Sequence, residues 1–425
     1  MVKISNRQSM DSDFMREPVP IDRAVGWPGI AVIIFSIGVT LPVFFLGSEL
    51  MQALGLVRGA TAFMLGCVIV GLMMMATSVV AARTRLSTYM VLQFSFGNKG
   101  VKPVNALLAI TYIGWFAATG DIFGSAIHDS LLTFYDWNVP APLCAAVGSV
   151  AMALTAVFGF RVVERFSMFA VPILTTFMIF VVYVATKQMD WQSIRGIPGQ
   201  GNLSFGYAVS AVIGGNILMA VGAPDFTRYS KNERDALKTV SGLVFGYPLI
   251  MLVSGISTLV TGESDIMKIM ISLNVAVPAL VILVFATWTT NTVNLYSGIL
   301  TLATVANRTS TRKIALASSI VGIAGAGLGV MDFFLPFVFF LGIATAPIAG
   351  IYLADFFIIH KGSHRFEELE SVHTTGINAY IAWLIGSGSA YLTTYSGLAM
   401  TTVPAVDGLL VAFLSYIVIT RLRSA

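Results

Sequence analysis

Charged side chains are scarce in this chain. Asp, Glu, Lys and Arg make up 11% of its 425 residues, whereas 56% of the residues are hydrophobic and the mean hydropathy is +0.83. A soluble domain carries about 25% charged residues, so the composition excludes a soluble globular protein. A bilayer core about 30 Å thick takes roughly 20 apolar residues per helix, and the chain has room for about twelve such helices with their loops.

Cysteine and histidine are also few. The two cysteines, Cys67 and Cys144, each lie inside an apolar run, so neither a disulfide nor a metal framework is expected. Three of the four histidines, His360, His364 and His373, share one predicted loop, but no set of His, Cys, Asp and Glu has metal-ligand spacing. The phosphate-binding loop motif of ATPases is absent, so ATP does not drive this chain directly.

Twelve apolar runs of helical length follow one another along the chain. A transmembrane β-strand would show about ten residues of alternating polarity, and that pattern is absent. The sequence therefore predicts an all-α integral membrane protein of about twelve helices. The runs lie at 27–54, 59–82, 103–128, 140–160, 164–186, 205–223, 237–261, 275–304, 313–330, 333–359, 377–397 and 403–420.

The basic residues alternate between the loops on the two sides. With the N-terminus inside, 21 of the 25 Lys and Arg residues fall in inside segments, and only Arg58, Lys187, Arg195 and Lys268 fall outside. The positive-inside rule then predicts a multi-pass protein of the bacterial inner membrane with both termini cytoplasmic. Because the basic residues lie in short loops, the net charge of +4 does not point to nucleic acid as a partner.

The first and the sixth runs carry Gly and Pro in their middles. Gly38 and Pro42 interrupt the first run, and Gly214–Asn216, Gly222 and Pro224 interrupt the sixth. These residues weaken the helical hydrogen-bond ladder, and freed carbonyls at membrane depth must line a protein cavity. Interruptions in corresponding helices of two halves predict an inverted-repeat transporter with its site at the midplane. For either run alone, the general frequency of Gly and Pro in transmembrane helices is an alternative explanation.

The eighth run contains a dense polar stretch, Ala286–Asn294. Polar groups at this depth usually face the bundle interior or a cavity. The hydroxyls of Thr289 and Thr290, together with freed carbonyls, could form an oxygen cage for a monovalent cation such as Na⁺. The alternative is that these hydroxyls join neighbouring helices by hydrogen bonds.

The third run brings two aromatic residues and one acid to membrane depth. Tyr112 and Trp115 lie three residues apart, on one helix face. Trp115 lies mid-run, where its ring could stack on a flat solute or simply pack in the core. Asp121 is the acid that lies deepest in any run, so it is either a structural partner or a cation or proton site.

Five segments resemble the nucleobase:cation symporter-1 family, particularly its bacterial cytosine permease branch. The likeness runs in order from about residue 25 to 370. The segments are Thr88–Gly100 after the second run, Gly114–Phe116 in the third, Pro224–Tyr229 after the sixth, Trp288–Asn291 in the eighth and Leu353–Phe356 at the end of the tenth.

The resemblance implies a LeuT-type fold of five plus five inverted helices with two further helices at the C-terminus. The expected organisation is a cytoplasmic N-terminal tail at 1–24, a first repeat at 25–187, a second repeat at 188–360, and a cytoplasmic loop with two helices at 361–425.

The resemblance also implies a coupling ion. Na⁺ is expected to bind backbone carbonyls of Gly38 and Leu41 in the first run, together with Ala286, Thr289 and Thr290 of the eighth. No other cofactor is implied.

The expected solute is a planar nitrogen heterocycle that stacks on Trp115 and is hydrogen-bonded from the third, sixth and eighth runs. The substrate set implied in this way is Trp115, Tyr112, Asn216, Leu218, Asn291 and Asn294. Three members depart from the cytosine permease pattern: Tyr112 replaces a glutamine, Asn216 an aromatic residue and Leu218 a small polar residue. These departures predict a solute other than cytosine.

The sequence therefore predicts a Na⁺- or H⁺-coupled symporter that imports a nucleobase or related heterocycle by alternating access, and not an enzyme. Its expected partners are a small solute and membrane lipid, with no obligate protein partner. The alternative is a symporter of a cationic amine or guanidino compound, with Asp121 or Glu49 as counter-charge.

Overall fold

The computed structural model describes residue 14 and residues 17–158, 160–306, 308–396 and 400–424. Most of the predicted N-terminal tail, 1–24, lies outside these residues. The described part of the chain is helical and contains no β-strand beyond two isolated bridges. Its α-helices are α1 (Trp27–Gly38), α2 (Leu41–Leu54), α3 (Leu56–Thr84), α4 (Thr88–Phe96), α5 (Val101–Tyr135), α6 (Ala141–Phe158), α7 (Phe160–Gln188), α8 (Trp191–Gly196), α9 (Phe205–Val221), α10 (Ala223–Thr227), α11 (Glu233–Thr239), α12 (Ser241–Thr261), α13 (Ile266–Ser272), α14 (Ala276–Val305), α15 (Thr311–Gly327), α16 (Phe334–Ala354), α17 (Ile377–Ser396) and α18 (Pro404–Ser424).

Each of the twelve apolar runs is occupied by a long helix or, in the first run, by the pair α1 and α2. By length and composition, five helical stretches in the described residues can cross a membrane, or up to six when α1 and α2 count as one bent span. The shorter helices α6 and α9 are apolar as well. The number twelve stays a prediction.

The first run is broken where the sequence predicts. Helix α1 ends at Gly38, α2 begins at Leu41, and the two axes are bent by 59°. Pro42 lies in the first turn of α2, where a proline costs no hydrogen bond because that N–H has no helical partner. The Gly38 carbonyl oxygen accepts a hydrogen bond from the Thr40 N–H at 3.0 Å, so part of the freed backbone is satisfied locally.

The sixth run is broken at only one of its two predicted places. Helix α9 ends before Gly222 and α10 starts at Ala223, as Gly222 and Pro224 suggest. The predicted interruption at Gly214–Asn216 is wrong, because α9 continues through it. A Cβ atom on Gly214 would collide with the Val338 carbonyl oxygen of α16, so this glycine permits close helix packing.

The long helices make contacts that recur at an offset of five runs. Helix α2 of the first run packs on α12 of the seventh, and α9 of the sixth packs on α3 of the second. In the same way α5 of the third run contacts α15 of the ninth, and α14 of the eighth contacts α6 of the fourth. Helices α5 and α14 also pack directly on each other. An inverted repeat produces such exchanged pairs. The boundaries of the two repeats, 25–187 and 188–360, stay predictions.

Candidate functional site

A small cavity of about 50 Å³, the central cavity, lies beside the break between α1 and α2. Six helices and the short break itself contribute its walls, and five residues of the predicted substrate set are among them. The cavity is lined by Ile37, Thr40 and Val43 at the break, Tyr112, Trp115 and Thr119 of α5, Gly215, Asn216, Leu218 and Met219 of α9, Tyr247 of α12, and Thr290 and Asn294 of α14.

Trp115 both packs in the core and lines the cavity. Its ring makes T-shaped contacts with Phe334 and Phe337 of α16, at centroid distances of 5.8 and 5.6 Å. Aromatic pairs favour this geometry, so the two phenylalanines hold the plane of the indole. The two interpretations of Trp115 are therefore compatible, because a ring fixed in this way still presents surface to the cavity.

Two polar atoms of the cavity walls have no hydrogen-bond partner among the described residues. The Asn216 amide nitrogen donates to the Val212 carbonyl oxygen at 2.7 Å, whereas its Oδ1 atom is unpaired. The Thr119 hydroxyl is unpaired as well. Buried polar groups are nearly always hydrogen-bonded, and both atoms are buried away from the open space of the cavity in this structure, so a polar solute can pair with them only when the walls rearrange.

Tyr247 and Thr119 line the central cavity but do not belong to the predicted substrate set. Tyr247 is buried, and a Cβ atom on Gly38 would overlap its ring, so the glycine at the end of α1 makes room for this tyrosine. Thr119 follows Tyr112 and Trp115 at intervals of three and four residues, which places all three on one face of α5. That spacing could have identified Thr119, whereas nothing in the sequence places Tyr247 against Gly38.

Asn291 is the member of the predicted substrate set that the structure does not bring to the cavity. It is fully buried, and its amide nitrogen lies 3.3 Å from the Met152 sulfur of α6. Thr290 and Asn294 of the same helix line the cavity, because residues four apart share a helix face. Asn291 is turned by about 100° from Thr290 around the axis.

Of the five residues predicted to bind Na⁺, only Thr290 lines the central cavity. Thr290 lines the cavity together with Thr40, which lies between Gly38 and Leu41. The Ala286 carbonyl oxygen accepts a hydrogen bond from the Thr289 hydroxyl at 2.8 Å. These hydroxyl and carbonyl oxygens are the donor types that bind Na⁺, so the residues fit the ion by chemistry, and their role stays a prediction.

A larger cavity of about 290 Å³ adjoins the central one and shares Tyr112 with it. It reaches the surface at Val25, on the predicted cytoplasmic side, and Asp225 and Arg228 contribute charge to its wall. The Tyr112 hydroxyl lies close to Gly222 at the end of α9. Tyr112 therefore forms the partition between this vestibule and the central cavity.

The two candidate counter-charges lie elsewhere. An Asp121 carboxylate oxygen accepts a hydrogen bond from the Met331 N–H at 2.9 Å, in the turn that precedes α16. The Glu49 side chain is hydrogen-bonded to Ser264. Neither residue lines the central cavity or the vestibule. The hydrogen bond to Met331 is consistent with a structural role for Asp121, and the choice between that role and a cation or proton site stays a prediction.

Comparison with known proteins gives consistent matches along nearly the whole chain. The sequence profile of a family described as permease for cytosine/purines, uracil, thiamine and allantoin matches residues 19–418. The cytosine permease of Escherichia coli (strain K12) is 25% identical over 413 residues, which cover 97% of this chain and 95% of the relative. The hydantoin permease of Microbacterium maritypicum is 22% identical over 386 residues, covering 84% of this chain and 78% of the relative.

Two solved structures share the fold. The nucleobase-cation-symport-1 family transporter Mhp1, in a closed conformation with bromovinylhydantoin bound, superimposes with a TM-score of 0.81 at 19% identity, over 96% of this chain and 95% of that one. A Na⁺-coupled sialic acid symporter in a substrate-bound outward-open state gives a TM-score of 0.68 at 11% identity, over 97% and 92%.

Proposed function

Because the chain belongs to the family of permeases for cytosine/purines, uracil, thiamine and allantoin, we propose that it is a Na⁺-coupled symporter that imports a small planar nitrogen heterocycle. Membership of this family makes it a membrane transporter and not an enzyme. The all-α LeuT-type fold supplies the two inverted halves that alternating access requires.

The central cavity is the observation that carries the proposal. It combines the fixed flat ring of Trp115 with the unpaired Oδ1 of Asn216 and the unpaired hydroxyl of Thr119. A planar heterocycle with N–H groups at its edge satisfies all three, by stacking on the ring and donating to the two oxygens. The relatives are named for cytosine, hydantoin and allantoin, which are small nitrogen rings with amide-like edges.

Sodium coupling is supported by the place of Thr290. Its side chain lines the same cavity as Thr40, at the break whose carbonyls belong to the predicted Na⁺ set. A cation bound there would lie next to the solute and stabilise the walls that contact it. By thermodynamic reciprocity, Na⁺ and solute must then strengthen each other's binding by the same factor.

The solute is proposed to differ from cytosine. Tyr112, Asn216 and Leu218 all line the central cavity, so the three departures from the cytosine permease pattern lie where they can change recognition. A site built to hydrogen-bond one edge can reject an analogue that leaves buried groups unpaired by about 10⁴-fold.

A thermal-shift screen of the purified protein tests this proposal. The panel contains cytosine, uracil, hydantoin, allantoin, a guanidino compound and an amine, each in Na⁺ and in choline buffer. A ligand that binds only the folded state raises its melting temperature by mass action. We expect a neutral planar heterocycle to give the largest shift, and only in Na⁺. A shift from the guanidino compound or the amine alone would contradict the proposal.

Asp121→Asn separates the neutral solute from the cationic alternative. The variant removes the charge but keeps an acceptor for the Met331 N–H. We expect unchanged solute affinity and a loss of about 1–2 kcal/mol of unfolding free energy, because hydrogen bonds to charged groups are stronger than neutral ones. Binding isotherms and thermal unfolding measure both quantities. The exposed neighbour Asp332→Asn is the control, and loss of binding in Asp121→Asn alone would favour a cationic solute.

A further inference from the structure

A cluster of metal-ligating side chains lies at the end of α16, away from the central cavity. Asp355, His360 and His364 each offer one ligand atom, and these atoms lie within 4.8 Å of one another. The Asp355 Oδ2 atom is 3.3 Å from His360 Nδ1 and 3.0 Å from His364 Nε2. The sequence shows no metal-ligand spacing among His, Cys, Asp and Glu, and the fold nevertheless brings these three side chains together.

A local change of helix type creates the cluster. After Ala354 the chain forms one turn of π-helix, Asp355–Ile359, and the His360 N–H donates to the Asp355 carbonyl oxygen at 2.8 Å. Residues five apart are thereby brought together, whereas in an α-helix they would point about 140° apart. Gly362, with φ of +82°, then turns the chain back so that His364 returns to Asp355. Single π turns of this kind occur frequently at functional sites.

Two of the three ligand side chains are buried and poorly satisfied by the protein itself, whereas His360 Nδ1 lies 3.3 Å from the Asp355 carbonyl oxygen. The side chains of Asp355 and His364 are 1% and 0% exposed. Asp355 Oδ2 and both ring nitrogens of His364 have no hydrogen bond of acceptable geometry among the described residues. Buried polar atoms are normally paired. Asp355 Oδ2 and His364 Nε2 lie close together but are poorly aligned for a hydrogen bond, so an ion bound between them would satisfy both atoms better.

Neighbouring side chains hold the cluster in place. The other Asp355 oxygen, Oδ1, accepts a hydrogen bond from the Tyr416 hydroxyl of α18 at 2.6 Å. Phe94 of α4 stacks on the His364 ring at 3.9 Å with only 7° between the planes. Partners of this kind orient metal ligands and strengthen binding.

We propose that Asp355 Oδ2, His360 Nδ1 and His364 Nε2 bind one divalent transition-metal ion, Zn²⁺. Zinc takes imidazole nitrogen and carboxylate oxygen at about 2.0–2.2 Å in tetrahedral geometry, which places two ligand atoms about 3.3–3.5 Å apart. The observed spacings of 3.0 and 3.3 Å are close to that separation. Two imidazoles argue against Mg²⁺ and Ca²⁺, which prefer oxygen ligands.

The cluster has a route to solvent. The His360 side chain is 40% exposed and provides the path by which an ion enters.

Zinc at this position would connect the cluster to the vestibule. Phe94 belongs to α4, and the N–H of Thr88 at the start of α4 donates to an Asp225 carboxylate oxygen at 2.9 Å. Asp225 lines the vestibule. Helix α4 therefore lies between the metal cluster and the wall of the vestibule.

Zinc binding to the full-length protein tests the proposal. The protein is purified with a tag that contains no histidine, stripped with a chelator and titrated with Zn²⁺, and the bound metal is counted by elemental analysis. We expect about one zinc per chain. Tyr416→Phe should weaken binding by about 10- to 100-fold, as loss of a partner that orients a ligand does, and His360→Ala should weaken it further. The exposed His373→Ala in the same loop is the matched control and should bind like the wild type.

Two outcomes would overturn the site. Equal zinc binding by the wild type, His360→Ala and Tyr416→Phe would place the metal elsewhere. No zinc binding by the wild type at micromolar concentration would leave the cluster as a buried ion pair. Monodispersity and thermal unfolding of each variant establish that it is folded. If His360→Ala is not folded, Asp355→Asn, which keeps the shape of the side chain, takes its place.

Discussion

Trp115→Ala is expected to weaken specific solute binding by about 5- to 150-fold while the protein remains folded. Stacking of a base on an aromatic side chain contributes roughly 1–3 kcal/mol, and about 1.4 kcal/mol corresponds to tenfold in affinity. The indole is fixed by Phe334 and Phe337 and lines the central cavity. Its removal therefore takes away a rigid stacking surface. The measurement is a binding isotherm of the best ligand from the thermal-shift screen.

The control for Trp115→Ala must separate lost stacking from lost stability. Truncating a buried tryptophan costs about 3–5 kcal/mol wherever it lies. Trp383 of α17 is a suitable match, because its ring nitrogen donates to the Ala344 carbonyl oxygen and it lies outside the central cavity. We expect Trp383→Ala to lower thermal stability without changing solute affinity. If Trp115→Ala behaves in the same way, its ring only packs in the core.

Thr290→Ala is expected to weaken the Na⁺ dependence of solute binding. The variant removes a hydroxyl from the cavity wall beside the α1–α2 break. Coupling between two sites is typically 1–3 kcal/mol, or about 5- to 150-fold in affinity. The Na⁺ concentration that gives half-maximal solute binding should therefore rise by at least about fivefold. Titration of Na⁺ at fixed solute concentration measures this value.

Thr292→Ala is the matched control on the same helix. The Thr292 hydroxyl donates to the Trp288 carbonyl oxygen of its own helix at 2.7 Å, and Thr292 lies outside the central cavity. Its removal should leave the Na⁺ dependence unchanged. If Thr290→Ala and Thr292→Ala have the same half-maximal Na⁺ concentration as the wild type, Thr290 does not bind the ion.

The family and the helical fold could be predicted from the sequence because they depend on local patterns. Apolar runs of membrane length identify the long helices, and short ordered motifs identify the nucleobase-cation symporter resemblance, which the family match confirms. The break between α1 and α2 was predictable, since Gly38 and Pro42 act on their own backbone. Gly214 was misread because its role is contact with α16, a distant segment that local sequence does not reveal.

The candidate site was predictable only in part. Helical spacing places Tyr112, Trp115 and Thr119 on one face, but which face of α14 meets the cavity depends on packing. As a result Asn291 faces α6 while Asn294 faces the cavity. The cluster at Asp355 was missed because the spacing to His360 has meaning only in a π turn, and no residue type signals that turn.

Sodium-driven uptake into liposomes distinguishes a Na⁺-coupled importer from an uncoupled one. The purified protein is reconstituted, an inward Na⁺ gradient is imposed, and uptake of the labelled planar heterocycle identified by the thermal-shift screen is followed over time. We expect accumulation above equilibrium with the Na⁺ gradient, equilibration alone in choline, and loss of uptake in Trp115→Ala. Accumulation that is equally fast in Na⁺ and choline, or that persists in Trp115→Ala, would contradict the proposed function.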